Sequence, residues 1–401
     1  VTLAAPETVA AAAPEPLSRD AFAERVLQTG HAATSIDAQA QIARAERAAA
    51  GRWQNPALAW ERGAAVSGRR ANETQDELTL RLPVVISGRL ALEVEAAASA
   101  AESAELQARW ARAVLRHDAR KAFDAVVAAR ARVAVLADAA EAVETLGKVV
   151  AARAQAGEAA GYEGLRLEFE AALVADLHEA ARLELSRAEA TAGALLGSAN
   201  TNLPPFAGDL LEQTLDQPTP GRAPALERPD VQALAKSAEA ARLAAKAAGR
   251  RQVPDPVLTA GMQLLDVAES DRGAGYVVGL EVSLPLFDTG ARDAEVAHAQ
   301  ARAADAARQE LSGRAESMRA QVRAALDAKR ARLAAHRDAV FLRAERLRAL
   351  AQVAWRAGEA ELLTLVDAHR AARDAHLAAL DLALDVRNTE TEDLLLTGSE
   401  P

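Results

Sequence analysis

The sequence predicts a mainly α-helical protein with a small β part, built as a tandem repeat of strand hairpins and long helical hairpins. Three observations carry that expectation. A strand-to-helix junction occurs twice: Leu82-Pro83 returns as Leu284-Pro285 and Glu93-Val94 as Glu295-Val296, each at an offset of 202. The intervening Gly88 returns as Gly290 at that same offset of 202. In both copies a segment alternating with period 2 runs directly into an Ala-rich segment of period 3.6. Composition agrees: half of the 401 residues are apolar, yet only 3% are aromatic. Ala, Arg, Glu and Leu in long runs favour extended helices in close approach over a bulky globular core.

Charge and cysteine usage exclude several classes. A formal charge of −10 with no basic stripe argues against nucleic acid. There is no Cys, so disulfides, thiol chemistry and Cys-based metal sites are excluded. No run of 18 apolar residues suggests a transmembrane helix, which leaves β-strands as the route into a membrane. The chain starts at Val1 without a Met or a leader, as a processed or trimmed product would.

In chain order, residues 1–16 are Ala/Pro/Glu-rich and read as a flexible N-terminal segment. The first repeat, 17–198, opens with Ser18 as N-cap of a short helix closed by Gly30, then a second helix over 35–51. A strand hairpin occupies 55–86, with 67–74 as its loop. Its return strand places Leu78, Leu80 and Leu82 on one face and Glu77, Thr79 and Arg81 on the other. A helical hairpin over 90–196 follows, turning at Ala156-Gly157-Glu158. Its first arm carries Val133, Leu136, Ala140, Val143, Gly147 and Val150 in a coiled-coil-like seam. Its second arm carries Leu165, Phe169, Leu173 and Leu177 on one face. A Pro/Gly-rich connector, 199–227, leads to the second repeat, 228–397. That repeat has a helix to about 248, a strand hairpin over 255–287 with its loop at 269–275, and a helical hairpin over 291–396 turning at Ala357-Gly358-Glu359.

Each hairpin presents an apolar face of about ten residues, the length that crosses a bilayer as a tilted strand. Trp60 and Tyr276 lie on those faces and read as membrane-interface aromatics near the loop ends. By parity, Glu61, Glu77, Thr79, Arg81, Glu281 and Ser283 face the opposite way, toward a wet lumen. Four strands cannot close a barrel and open edges are not tolerated in lipid, so closure must come from symmetric oligomerisation. The competing expectation is a soluble helical scaffold or adaptor without channel activity, its hairpins buried within protein.

The Asn55-Pro56 strand opening, the two Leu-Pro…Gly junctions and the two Ala-Gly-Glu helix turns resemble the TolC-type outer membrane factor family. Leu17-Ser18-Arg19-Asp20-Ala21 and Arg228-Pro229-Asp230 fit its segment starts, so the resemblance covers about residues 17–397. It implies a homotrimer with a twelve-stranded barrel in the outer membrane lipid of a Gram-negative bacterium, and an α-helical tunnel in the periplasm. It also implies partners: a periplasmic adaptor protein and an inner-membrane efflux pump of the RND type. Within the family, Asn55 to Glu61 followed by Glu77…Leu82-Pro83 and Gly88-Arg89 is most similar to the cobalt–zinc–cadmium and copper–silver efflux branch, and implies divalent heavy-metal cations as substrates. Leu82 stands where that branch often has Gln, and Ser87-Gly88-Arg89-Leu90 replaces its Gly-Gly-Lys-Arg.

The resemblance makes the helix tips Ala156, Gly157, Glu158, Ala357, Gly358 and Glu359 adaptor-docking residues, although Gly157 and Gly358 equally suit helix C-caps. It makes Glu163 and Asp367 carboxylates of a periplasmic aperture, with solvated surface carboxylates as the alternative. Thr364 stands where the family often has another acid. His369 and His376 sit one heptad apart without further ligands, so they read as packing residues rather than a metal site. No phosphate loop, nucleophile elbow or zinc-protease motif is present. The expectation is therefore a non-enzyme with no cofactor.

Overall fold

A computed structural model describes residues 16–67, 70–155, 161–197, 203–216, 228–267 and 271–397. The flexible-segment expectation for residues 1–15 and the tip residues Ala156, Gly157 and Glu158 lie outside the described residues. The chain forms two compact units. The first comprises Val1–Ile36, Trp110–Arg228 and Arg314–Pro401; the second comprises Asp37–Arg109 and Pro229–Gly313. Their boundaries cut across the sequence repeats, so each repeat contributes chain to both units.

In the first unit, α1 (Arg19–Thr29) starts where Ser18 accepts a hydrogen bond from the Ala21 amide, 3.3 Å away. It buries Phe22 and Val26 in a core shared with Phe123, Val126, Leu210, Leu380 and Val386. Phe206 closes that core, with ring centroids 4.7 Å from Phe123 and 5.1 Å from Phe22. The connector is not wholly irregular: α5 (Leu210–Asp216) forms within it, with Asp209 capping the amides of Leu211 and Glu212 at 2.8 and 3.0 Å. Its Leu210 is what the core selects for; the surrounding prolines masked that signal in the sequence.

The helix α3 (Arg89–Gln155) has 67 residues and is about 100 Å long. Leu136, Val143 and Val150, spaced by heptads along its seam, are buried. Val143 and Val150 pack with Leu167 and Val174 of α4 (Gly161–Leu195) and with Leu362 and Leu365 of α9 (Leu362–Thr397). On α4 the apolar face read from the sequence only partly meets the core: Leu165 and Phe169 are 67% and 58% exposed and Leu173 and Leu177 half-buried, while Leu167, Glu170 and Val174 are buried.

The last helical hairpin is also less regular than its pattern suggests. α7 (Ala291–His336) passes through a π-helical turn (Arg337–Phe341) before α8 (Leu342–Arg356). α8 ends with Gly358 at φ +77°, where the Glu359 amide donates to the Ala354 carbonyl and the Gly358 amide to Trp355. That geometry needs a residue without Cβ. Gly358→Ala is expected to cost about 1 kcal/mol, read as a lower thermal midpoint and faster amide exchange at this turn.

In the second unit, α2 (His31–Ala49, from Asp37 onward) and α6 (Pro229–Gly249, with Pro229 at its first position) precede the two hairpins. The strands β1 (Ala57–Ser67), β2 (Arg70–Pro83), β3 (Pro256–Val267) and β4 (Asp271–Val282) form one antiparallel sheet in the order β1-β2-β3-β4. Pairing of β2 with β3, from Glu73↔Val267 to Pro83↔Val257, joins the two repeats. The strands run farther than expected at the loop ends, since the supposed loop residues 70–74 and 271–275 are paired. Backbone pairing continues there through polar and Gly residues, such as Glu73 opposite Ala65 and Gly273 opposite Leu265, which composition alone reads as loop. At the other end β4 stops at Val282. Pro285 lacks an amide and Leu286 donates back to Leu284, so Ser283 to Leu286 leave the sheet.

Candidate functional site: a two-faced sheet and its helix junctions

Neighbouring strands place partner residues on the same face. One face carries Leu58, Leu80, Ala260 and Val278 in one row and Trp60, Leu78, Met262 and Tyr276 in the next. Leu82, Leu258 and Leu280 form a third row. Twelve large apolar side chains on this face are exposed, from Tyr276 at 86% to Leu82 at 37%. Covering such a side chain is worth roughly 1.5–3 kcal/mol. Leaving all of them in water forgoes on the order of 20 kcal/mol, more than the net stability of a typical domain. The face needs a partner that the described residues do not supply.

The other face is small and polar. Glu61 pairs with Glu77, Thr79 with Ala59 and Gly261, Arg81 with Ala57 and Thr259, and Glu281 with Val257. These five residues lie together as their parity indicated. Thr79 is an exception in exposure, being 4% accessible. Ser283 falls outside the strand, one residue beyond the end of β4. Among the described residues, the outer edges of β1 and β4 pair with no strand.

Trp60 and Tyr276 do share one row, but it is not near the loop ends. Trp60 is the fourth residue of β1 and Tyr276 the sixth of β4. The next row toward the loops carries Arg62 and Asp76, 3.7 Å apart, on the apolar face. Alternation continues past the aromatic row, so parity alone placed the boundary too far along the strands.

The junctions are held by specific contacts. Asp255 accepts hydrogen bonds from the amides of Ile86 and Ser87 at 2.9 and 3.0 Å and from Arg89 Nε at 3.0 Å. It thereby ties the end of β2 and the start of α3 to the start of β3. Gly88 and Gly290 both have positive φ, 70° and 74°. A Cβ on Gly290 would lie 2.1 Å from the Ala248 carbonyl oxygen, so Gly290 is required by close approach as well as by conformation, whereas Gly88 is required by conformation alone.

The remaining sequence candidates are in the first unit. Glu163 is in the first turn of α4 and half-buried, and Asp367 is on α9 and exposed. Neither has an ion-pair partner among the described residues. Ala357, Gly358 and Glu359 are all exposed at the α8 turn. Among the described residues, no cluster of His, Cys, Asp and Glu could hold a metal ion, and no helix is long and apolar enough to cross a membrane.

His369 and His376 line a cavity of about 340 Å³ with Phe341, Glu345, Arg348, Asp138, Glu170, Arg370 and Arg373. Burial holds both imidazoles below their usual range; Arg348 pushes the same way and Glu345 opposes it. A folded-state value below the unfolded one favours the fold above about pH 6.5 and loses that contribution as pH falls. The thermal midpoint is therefore expected to drop between pH 7 and 5, and a His369→Gln/His376→Gln double variant to drop less. Equal drops would remove the histidines from the account.

Residues 224–398 match the family described as outer membrane efflux protein. No curated protein matches the sequence. Among solved structures, the Campylobacter jejuni CmeC outer membrane channel superposes with a TM-score of 0.77 at 14% identity, over 95% of this chain and 85% of that one. The outer-membrane channel OprN gives 0.75 at 18% identity, over 95% and 90%. A membrane protein from Pseudomonas aeruginosa gives 0.74 at 19% identity, over 99% of each chain. The second half of the chain thus carries the sequence pattern of the outer membrane efflux protein family, and the chain as a whole carries the fold of outer-membrane channels.

Proposed function

We infer that this protein is a homotrimeric outer-membrane channel, the exit duct of a tripartite efflux system, conducting passively. The observation that carries this reading is the sheet: one face of exposed Leu, Val, Trp and Tyr, one small and polar face, and two edges that pair with no strand among the described residues. Lipid covers the first face and water the second. Edges left open in lipid are costly, so β4 of one subunit pairs with β1 of the next until the ring closes. Three copies give twelve strands. The unpartnered Leu165 and Phe169 on α4 support contact between subunits at the helices as well.

In this reading the α8 turn at Ala357, Gly358 and Glu359 docks a periplasmic adaptor bound to an inner-membrane pump of the RND type, and the sequence repeat assigns Ala156, Gly157 and Glu158 the same docking role. Glu163 and Asp367, carboxylates without an ion-pair partner among the described residues, narrow the periplasmic entrance. Three copies of each would favour cations over anions there. That preference and the sequence resemblance support divalent heavy-metal cations as the substrate class.

The test is conductance of the purified protein in a planar bilayer. Discrete ion-conducting steps are expected, with a reversal potential favouring cations. Asp367→Asn should reduce that preference, and an unchanged reversal potential would remove Asp367 from the aperture. A protein that yields no steps and stays soluble without detergent would be the helical scaffold instead.

A further inference from the structure

The apolar band on the strands is too short for a bilayer. On β1 and β2 it is bounded on the loop side by the row of Trp60 and Leu78, because Arg62 and Asp76 follow on the same face; on β3 the exposed Leu264 lies one row farther, opposite Asp76. On β4 it then runs from Tyr276 to Val282. Those six residue-to-residue steps of about 3.3 Å, tilted near 45°, rise only about 14 Å, against an apolar band of about 25 Å in such barrels. Extension toward the loops would bury the Arg62–Asp76 pair. Extension the other way along the chain after β4 passes Leu284, Leu286 and Phe287 before the first charged side chain, Asp288.

At the helix-side end of the strands, the junction segments carry large apolar side chains without cover. Phe287 is 100% exposed, Leu286 72%, Ile86 63% and Trp53 58%. A surface loop in water does not ordinarily hold four such side chains together. Beside them are exposed cations: Arg52 precedes Trp53, and Arg250 lies in the short 3₁₀ turn before β3. Neither has an ion-pair partner among the described residues. Tyr276 to Phe287 spans at most about 36 Å of chain, or about 25 Å across the membrane at the same tilt, which matches the required band.

We propose that the lipid-facing surface continues past the strands onto the strand–helix junctions, where Trp53, Ile86, Leu286 and Phe287 enter the hydrocarbon of the periplasm-facing leaflet and Arg52 and Arg250 meet phospholipid phosphates. The proposal rests on the channel reading and deepens it. Trp60 and Tyr276 then mark the outer boundary of the bilayer. Trp53 and Phe287 mark the inner one, an arrangement of aromatic side chains and flanking arginines suited to a phospholipid interface.

The chain has four Trp, at 53, 60, 110 and 355. Full-length single-Trp variants, the others changed to Phe, report depth through quenching by phosphatidylcholine brominated at shallow or deep acyl positions. A third probe is Phe287→Trp in the background lacking the other four, a change that meets no neighbouring atoms at a fully exposed position. The expected result is that Trp60, Trp53 and the probe at 287 each lose roughly half or more of their fluorescence, the shallow bromines acting most strongly, as interfacial rings should. Quenching of Trp60 with either junction probe unaffected overturns the proposal and leaves the channel standing. A Trp60 that is itself unquenched overturns the channel reading.

Discussion

Asp124→Ala is expected to lower the unfolding free energy by about 3–5 kcal/mol, because it strips the central acid from a buried charge network. Asp124 on α3 is 1% exposed and accepts from Arg19 Nη2 at 2.7 Å and Nε at 2.9 Å. Arg19 also donates to Thr391 of α9. Arg387, 3.9 Å away on the other side of the carboxylate, is 3.5 Å from Glu390, which pairs with Arg330 of α7 at 2.6 Å. Burial pushes the Asp124 carboxyl upward against the pull of both arginines, and pushes the Arg387 guanidinium down. Each charge is thus tolerated only through its partners. Removing the acid leaves Arg19 and Arg387 side by side with one counter-charge fewer. Asp124→Asn keeps the acceptor oxygen and should cost less. Arg182→Ala, which breaks an exposed pair with Glu179, should cost under about 0.5 kcal/mol and serves as the control. Denaturant unfolding followed by helical circular dichroism reads all three. If Asp124→Ala shifts the midpoint no more than the control does, the network is not what ties α1, α3, α7 and α9 together.

Leu280→Arg acts through the other half of the molecule. Leu280 is 66% exposed in the middle of the apolar face, opposite Leu258. In water such a change is nearly free, since the side chain already faces solvent. In lipid an Arg near the bilayer centre costs about 2–4 kcal/mol per copy, and a symmetric trimer carries three. The variant is therefore expected to fold its helices normally yet to lose membrane insertion and detergent-resistant trimers. Gly279→Arg, one residue away on the small polar face, should be far milder. Equal behaviour of the two variants in membrane fractionation would mean that the faces are not divided between lipid and water.

The sequence made some of this legible and hid the rest for identifiable reasons. Long Pro-free helices, the paired hairpins and the repeated Gly88 and Gly290 could be read because each depends on local periodicity or on a backbone conformation that few residues adopt. The full buried face of α4 could not. Leu165 and Phe169 are larger than Val174 and Glu170, and only tertiary packing shows that the smaller pair faces the core. The π turn ahead of Leu342 and the network around Asp124 rest on contacts between residues far apart in the chain. The site was half legible. Parity gave the two faces of the sheet, but alternation persists through Arg62 and Asp76, so it could not say where along the strands the lipid begins and ends.

The most direct test of the central claim is the protein mass of the purified particle in detergent, by light scattering with the detergent contribution subtracted. The chain is 42.0 kDa, so the account predicts a trimer of 3 × 42.0 = 126 kDa that precipitates or aggregates when detergent is withdrawn. A monodisperse 42.0 kDa protein that stays in solution without detergent would contradict it.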